Sequence, residues 1–268
     1  ELDNVVSRLT RFEFSAGQWP KRPVAAPGGG SISLVSADVD SNVFFFTFES
    51  FLQPDTLYAA NDGGASIEAV QTTPAFFDAQ GMTVKQHFAT STDGTRVPYF
   101  MVSKKNMLRN GKNPTLLYGY GGFEVSLTPN YSAGVGRAWL SQGGVFVVAN
   151  IRGGGEYGPR WHQAALKADR NKAYEDFAAV AEDLIARKIT TPKHLGIQGG
   201  SNGGLLMGNM TVMYPQLFGA VVCQVPLLDM KRYHKLLAGA SWMAEYGNPD
   251  TDDWKEAVLF RGHQVTRQ

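Results

Sequence analysis

The rhythm of apolar and polar positions changes once along the chain, near residue 72. Before that point, short alternating or aromatic-rich runs at Ser7–Phe14, Ser31–Ser36, Val43–Phe48 and Thr56–Asn61 are separated by turn formers such as Pro27-Gly28-Gly29-Gly30 and Asp62-Gly63-Gly64. Short runs of this kind, bounded by Gly, Pro and Asp, predict antiparallel strands over residues 1–71, as in a sandwich edge or a propeller blade. One or two blades cannot bury both faces by themselves, so a further piece of the same structure is expected to pair with them.

Beyond residue 72 the pattern becomes that of an α/β domain. Lys85–Thr92 and Val97–Ser103 flank Asp93-Gly94, a hairpin signal, and Pro114–Tyr118 and Gly144–Asn150 are unbroken apolar runs suited to strands buried on both faces. Tyr174, Phe177, Ala181, Leu184 and Ile185 recur at helical spacing, with Arg187-Lys188 at the C-terminal end where cations favour the helix dipole. The alternation continues through Leu195–Gln198, a helix ending at Pro215, and a strand over Phe218–Val225. Such an order predicts a mostly parallel sheet over 72–268 with helices on both faces, and a ligand site at the carboxyl ends of its strands.

Within that alternation the stretch Leu195–Met210 stands out. An apolar run leads into Gly199-Gly200-Ser201-Asn202-Gly203, and a second apolar run free of breakers follows. This is G-x-S-x-G between a strand and a helix, the arrangement of a nucleophile elbow. Glycine on either side lets strand and helix approach closely, and the serine oxygen is lifted to a helix N-terminus, where backbone N–H groups favour an oxyanion. Ser201 is therefore the candidate nucleophile. A dinucleotide-binding turn also joins strand to helix through glycines, but it needs G-x-G-x-x-G, and Ser201 stands where the second glycine belongs.

Composition narrows the function by exclusion. The chain has 268 residues, 43% hydrophobic and 18% charged, and 25 basic against 24 acidic residues leave a net charge of +1. That balance makes no electrostatic case for nucleic acid or an anionic membrane as partner. No apolar stretch reaches the length of a membrane span, and Glu1-Leu2-Asp3-Asn4 does not resemble a signal peptide. Cys223 is the single cysteine, so no intrachain disulfide can form, and its apolar surroundings from Ala220 to Val225 predict a buried, inert thiol. His87, His162, His194 and His234 lack metal-ligand spacing, and no cofactor is expected. Asn130-Tyr131-Ser132 and Asn209-Met210-Thr211 match the glycosylation pattern and are read as coincidental, the second because it falls in the helix after Ser201.

Three long motifs in register carry a resemblance. They are Leu117-Tyr118-Gly119-Tyr120-Gly121-Gly122-Phe123, Ala149-Asn150-Ile151-Arg152-Gly153-Gly154-Gly155-Glu156-Tyr157-Gly158, and Gly199-Gly200-Ser201-Asn202-Gly203-Gly204-Leu205-Leu206. Asp229-Met230, Tyr233-His234-Lys235, Trp242 and Tyr246-Gly247 continue it in order. From about residue 40 to about residue 250 the chain resembles the prolyl oligopeptidase family of serine peptidases, which joins a β-propeller to an α/β-hydrolase domain. The resemblance implies a partial α/β-hydrolase over 72–268 preceded by propeller-like strands over 1–71. It implies cleavage of short peptides after proline through an acyl-enzyme on Ser201, with the oxyanion held by the Asn202 backbone N–H and the Tyr120 hydroxyl. Phe123, Trp242, Tyr246 and Leu227 would line the pocket for the residue before the cut bond. A flat apolar ring without a backbone N–H is best selected by aromatic faces. A sister group that cuts after basic residues has acidic residues near this pocket, which draws attention to Glu245.

The chain departs from the family pattern near its ends. The triad of this fold runs Ser, then Asp, then His, each partner following a later strand. Little chain follows Val225, Asp250, Asp252 and Asp253 read as a solvated turn beside Pro249, and His263 lies in a polar tail with no strand before it. The expectation is of an internal piece of a longer protein, lacking the triad Asp and His and most of the propeller, and inactive alone. As alternatives, the chain is a silent hydrolase-like fragment interacting through open sheet edges, or an esterase, since the same fold hosts that chemistry.

Overall fold

A computed structural model of the chain describes residues 1–251. By internal contacts it parts into two compact units, one of residues 1–84 with 128–141 and the other of residues 85–127 with 142 onward.

In the first unit, β1 (Ser31–Ala37), β2 (Phe44–Glu49), β3 (Thr56–Asn61) and β4 (Ser66–Thr72) form a four-stranded antiparallel meander in sequence order. Alternation decides which side chains it buries: Phe46 and Phe48 point inward with Ala60, and Phe46 stacks on Tyr58 at 5.3 Å. Shorter strands pair Leu2–Asp3 with Val6–Ser7 and Thr10–Phe12 with Lys21–Pro23, so the predicted strand Ser7–Phe14 is in fact divided. Residues 128–141 join this unit through specific bonds. The Tyr131 amide donates to Glu49 at 2.7 Å, its hydroxyl accepts from the Phe76 amide at 2.8 Å, and Ser31 donates to the Pro129 carbonyl at 2.6 Å. Nothing in the hydrophobic pattern of 128–141 announces these bonds.

The second unit is built on a six-stranded sheet. In chain order its strands are β5 (Met82–Thr90), β6 (Arg96–Lys104), β7 (Thr115–Tyr118), β8 (Val145–Ala149), β9 (Leu195–Gly200) and β10 (Ala220–Gln224). Their order across the sheet is β10-β9-β7-β8-β6-β5. The pairs among β8, β7, β9 and β10 are parallel, and β6 meets β8 antiparallel, which makes the sheet mixed. Every residue of β8 is buried, as its continuous apolar run Val145–Ala149 requires.

Helix α1 (Asn171–Ala186) buries Tyr174, Phe177, Ala181 and Leu184 against this sheet. Phe177 and Leu184 are wholly buried, and each such side chain contributes about 1.5–3 kcal/mol. Asp176, on the same helix and also wholly buried, is matched by Arg152 at 2.6 Å. Arg152 reaches on to Asp93 in the β5–β6 turn and holds that carboxyl well below the usual carboxylate range. One guanidinium thus ties the loop after β8 to a helix and a hairpin.

Cys223 is exposed, not buried, because β10 stands at the edge of the sheet among the described residues and the whole strand is open to solvent. Asp250 is exposed and accepts from His234 at 3.0 Å and Lys235 at 3.1 Å, while Asp252, Asp253 and His263 lie outside the described residues.

Candidate active site

β9 ends at Gly200, and helix α2 (Asn202–Met213) begins two residues later, leaving Ser201 alone to turn the chain. Its backbone lies at φ 57° and ψ −116°, a left-handed conformation that a residue with a side chain adopts only under constraint. Part of the constraint is contact. A Cβ on Gly199 would lie 2.4 Å from the Gly203 carbonyl, and one on Gly203 would lie 2.7 Å from that of Gly119. The Ser201 amide donates to the Gln224 carbonyl of β10 at 3.0 Å, and the Ser201 carbonyl accepts the first full helical turn from Leu205 at 3.1 Å. The side chain is exposed at the carboxyl end of the sheet, beside the free N–H groups of the helix start.

β7 delivers the second element. Running parallel to β9, it ends at Tyr118, and the chain continues through Gly119 to Tyr120, whose hydroxyl lies near Ser201. Burial raises the Tyr120 phenol above its ordinary value, with Ser201 and Arg170 acting in the opposite direction, so the hydroxyl is a neutral donor at physiological pH. The main chain of Tyr120 is fixed as well: its carbonyl accepts from the wholly buried side-chain amide of Asn202 at 2.6 Å.

The aromatic candidates meet beside this pair. Leu205, Met230, Tyr233 and Tyr246 form a buried cluster against which Phe123, Leu227, Trp242 and Met243 pack. Phe123 meets Tyr246 edge-on at 5.6 Å, and Tyr233 meets it edge-on at 5.5 Å. Tyr246 does more than line the cluster, since its hydroxyl donates to Asn202 Oδ1 at 2.7 Å. Every residue singled out in the sequence for this site, Ser201, Asn202, Tyr120, Phe123, Leu227, Trp242 and Tyr246, lies in this one neighbourhood of the second unit.

Glu245 is not a bare negative charge at a pocket wall. Its carboxylate is buried and accepts from Arg170 Nη1 at 2.7 Å, from the Phe123 amide at 2.9 Å and from His162 Nε2, the ring nitrogen 2.7 Å away. Arg170, the hub of this arrangement, escapes sequence reasoning entirely. It stands in Lys167-Ala168-Asp169-Arg170-Asn171-Lys172, which reads as a solvated polar turn, and nothing in that pattern marks one of the cations as buried. The second glycosylation-pattern asparagine, Asn209, is buried in α2 and bonded to the Leu205 carbonyl, consistent with its being coincidental.

A serine held at positive φ between a parallel strand and a buried helix, at the carboxyl end of the sheet, defines the second unit as an α/β-hydrolase fold with the strand–turn–helix geometry of an elbow. Comparison with known proteins narrows that class. The model of the prolyl oligopeptidase N-terminal β-propeller domain matches residues 1–72, and that of the prolyl oligopeptidase family matches residues 131–260. The chain belongs to the prolyl oligopeptidase family. It is 51% identical over 249 residues to an uncharacterized peptidase, y4nA, of Sinorhizobium fredii, a match covering 93% of this chain and 34% of the relative. It is 37% identical over 239 residues to the prolyl endopeptidase of Elizabethkingia meningoseptica, covering 89% of this chain and 34% of that enzyme. Among solved structures, that of a post-proline cleaving enzyme from Rickettsia typhi superposes with a TM-score of 0.87 at 40% identity, covering 96% of this chain and 37% of that one. The chain spans about a third of the length of these relatives.

Proposed function

We propose that the full-length protein carrying this chain is a serine oligopeptidase that cuts short peptides on the carboxyl side of proline. The observation that supports the proposal is Tyr120 beside Ser201, together with an aromatic cluster packed on Leu205 of the same helix whose Tyr246 bonds Asn202, the residue after the serine. In this reading Ser201 Oγ attacks the scissile carbonyl and passes its proton to a general base outside the residues described. The carbonyl oxygen becomes an oxyanion held by the Tyr120 hydroxyl and the Asn202 backbone N–H. The leaving amine takes the proton from that base, and water then releases the acyl group from Ser201. No metal or cofactor enters these steps. Phe123, Leu227, Trp242 and Tyr246 receive the proline ring. Neutralisation of Glu245 by Arg170 favours an uncharged ring over a basic side chain there.

Trp242 tests the pocket. It is partly buried at the margin of the aromatic cluster. In the full-length protein, Trp242→Ala should lower kcat/KM on proline peptides about tenfold to a hundredfold, since stacking in a desolvated pocket is worth roughly 1–3 kcal/mol, and leave alanine peptides much less affected. Equal losses on both would sink the stacking role.

The 268 residues alone are a separate case. The acid and base partners of an α/β-hydrolase serine follow it on later strands, and β10 presents an open edge in the described structure. A polypeptide of residues 1–268 is therefore expected to be silent towards proline peptides, to resist fluorophosphonate labelling at Ser201 and to self-associate. Stoichiometric labelling of a soluble monomer would overturn this reading and direct attention to His263, Asp250, Asp252 and Asp253.

A further inference from the structure

One buried cation touches both halves of the site. The Arg170 side chain is about nine-tenths buried and donates through Nη1 to Glu245 at 2.7 Å and through Nη2 to Asn202 Oδ1. Its guanidinium carbon lies over the Tyr246 ring, 5.3 Å from the centroid. Asn202 Oδ1 also accepts from the Tyr246 hydroxyl, and the Asn202 amide donates to the Tyr120 carbonyl. Glu245 Oε1 accepts from the amide of Phe123, a residue held at φ 53°. Two short paths therefore leave Arg170. One runs through Asn202 to the backbone that carries the Tyr120 hydroxyl, and the other runs through Glu245 to the backbone that carries the Phe123 ring.

Each path ends on a residue whose position, not charge, matters to the reaction. Among the described residues Arg170 makes no bond to Ser201; its bonds go to Glu245 and Asn202. Resting on the reading of Ser201 as nucleophile and the aromatic cluster as its pocket, we infer that Arg170 is a positioning residue that locks the oxyanion donor and the pocket wall into one rigid unit. A planar guanidinium suits this task because its donors have fixed directions and can bind Glu245 and Asn202 together. An ammonium is a point donor and holds such partners less rigidly. Misplacing a reacting group by about 1 Å is enough to lower a rate about a hundredfold, so loss of the lock should appear in kcat.

The test uses the full-length protein with Arg170→Met and Arg170→Lys, assayed on a proline peptide substrate. Two inhibitors accompany it: a peptidyl-prolinal aldehyde, which forms a tetrahedral adduct on the serine, and the product peptide ending in a proline carboxylate. Arg170→Met should lower kcat about 10- to 100-fold, change KM less than about threefold, and weaken the aldehyde by the same factor as kcat, with product affinity nearly unchanged. Arg170→Lys should recover part of the loss. Combining Arg170→Met with Tyr246→Phe, which removes the other donor to Asn202 Oδ1, should cost less than the product of the single losses. A merely structural role would lower the folded fraction and leave the ratio of aldehyde to product affinity where it was, and that result would overturn the inference. Should Arg170→Met not accumulate folded, the ratio is read on Arg170→Lys, where an unchanged ratio at full kcat has the same consequence. Failure of the underlying reading looks different: Ser201→Ala would then keep its activity, whatever Arg170 does.

Discussion

In the full-length protein, Ser201→Ala should lower kcat on proline peptides by about 10⁶-fold, with KM little changed and fluorophosphonate labelling lost. The magnitude follows from the way a nucleophile and its partners act as a unit: without the oxygen no acyl-enzyme forms, and the residual rate comes from binding and the oxyanion donors. Ser201 is exposed, so water can take the place of its hydroxyl, and its strained backbone is held by contacts that alanine preserves. The variant should therefore fold like the parent, with an unfolding temperature at least as high, because functional side chains at strained positions are seldom optimal for stability. Activity within tenfold of the parent would remove Ser201 from the mechanism.

Tyr120→Phe is expected to have the next largest effect, a fall in kcat of about 10²- to 10³-fold, or about 2.7–4 kcal/mol, with a much smaller change in KM. The hydroxyl sits beside Ser201 while the backbone of the same residue is clamped by Asn202, so the donor is oriented before substrate arrives. A preorganised donor bonds a developing oxyanion more strongly than a neutral carbonyl, which places its contribution in kcat. Phenylalanine keeps the half-buried ring and its packing, so the change isolates the hydroxyl. Raised by burial, the phenol is expected to remain protonated through the neutral range, and the Tyr120-dependent part of kcat should be flat there, disappearing only when the phenol ionises at alkaline pH. A loss confined to KM would make Tyr120 a substrate contact and nothing more.

Much of this architecture is legible because local physics suffices for it. Continuous apolar runs such as Val145–Ala149 have no solvent face and must be central strands, and the spacing of Tyr174, Phe177, Ala181 and Leu184 admits a helix with one buried side. The glycines around Ser201 declare a close crossing of strand and helix before any coordinate is known. Phe123 lies more than a hundred residues from Trp242 and Tyr246, so family motifs and not periodicity mark their grouping. Cys223 is exposed despite its apolar neighbours, because an apolar neighbourhood in sequence says nothing about whether a strand lies inside a sheet or at its edge.

By itself, then, the sequence determined the chain order of the main strands and helices of the second unit and the glycine-bounded turn at Ser201, since each depends on residues within a few positions of one another. Tertiary structure alone decided that Arg170 is buried, that Glu245 is neutralised by it, and that Asn202 holds Tyr120 and Tyr246 together. Arg170 is a cation in a polar stretch, indistinguishable along the chain from neighbours such as Lys167 and Lys172, and nothing around Glu245, set among Trp242, Met243, Ala244 and Tyr246, says which cation it meets. Removing two charges from water is unfavourable unless each finds its partner, and that partner comes from a distant segment brought in by the folding of the sheet.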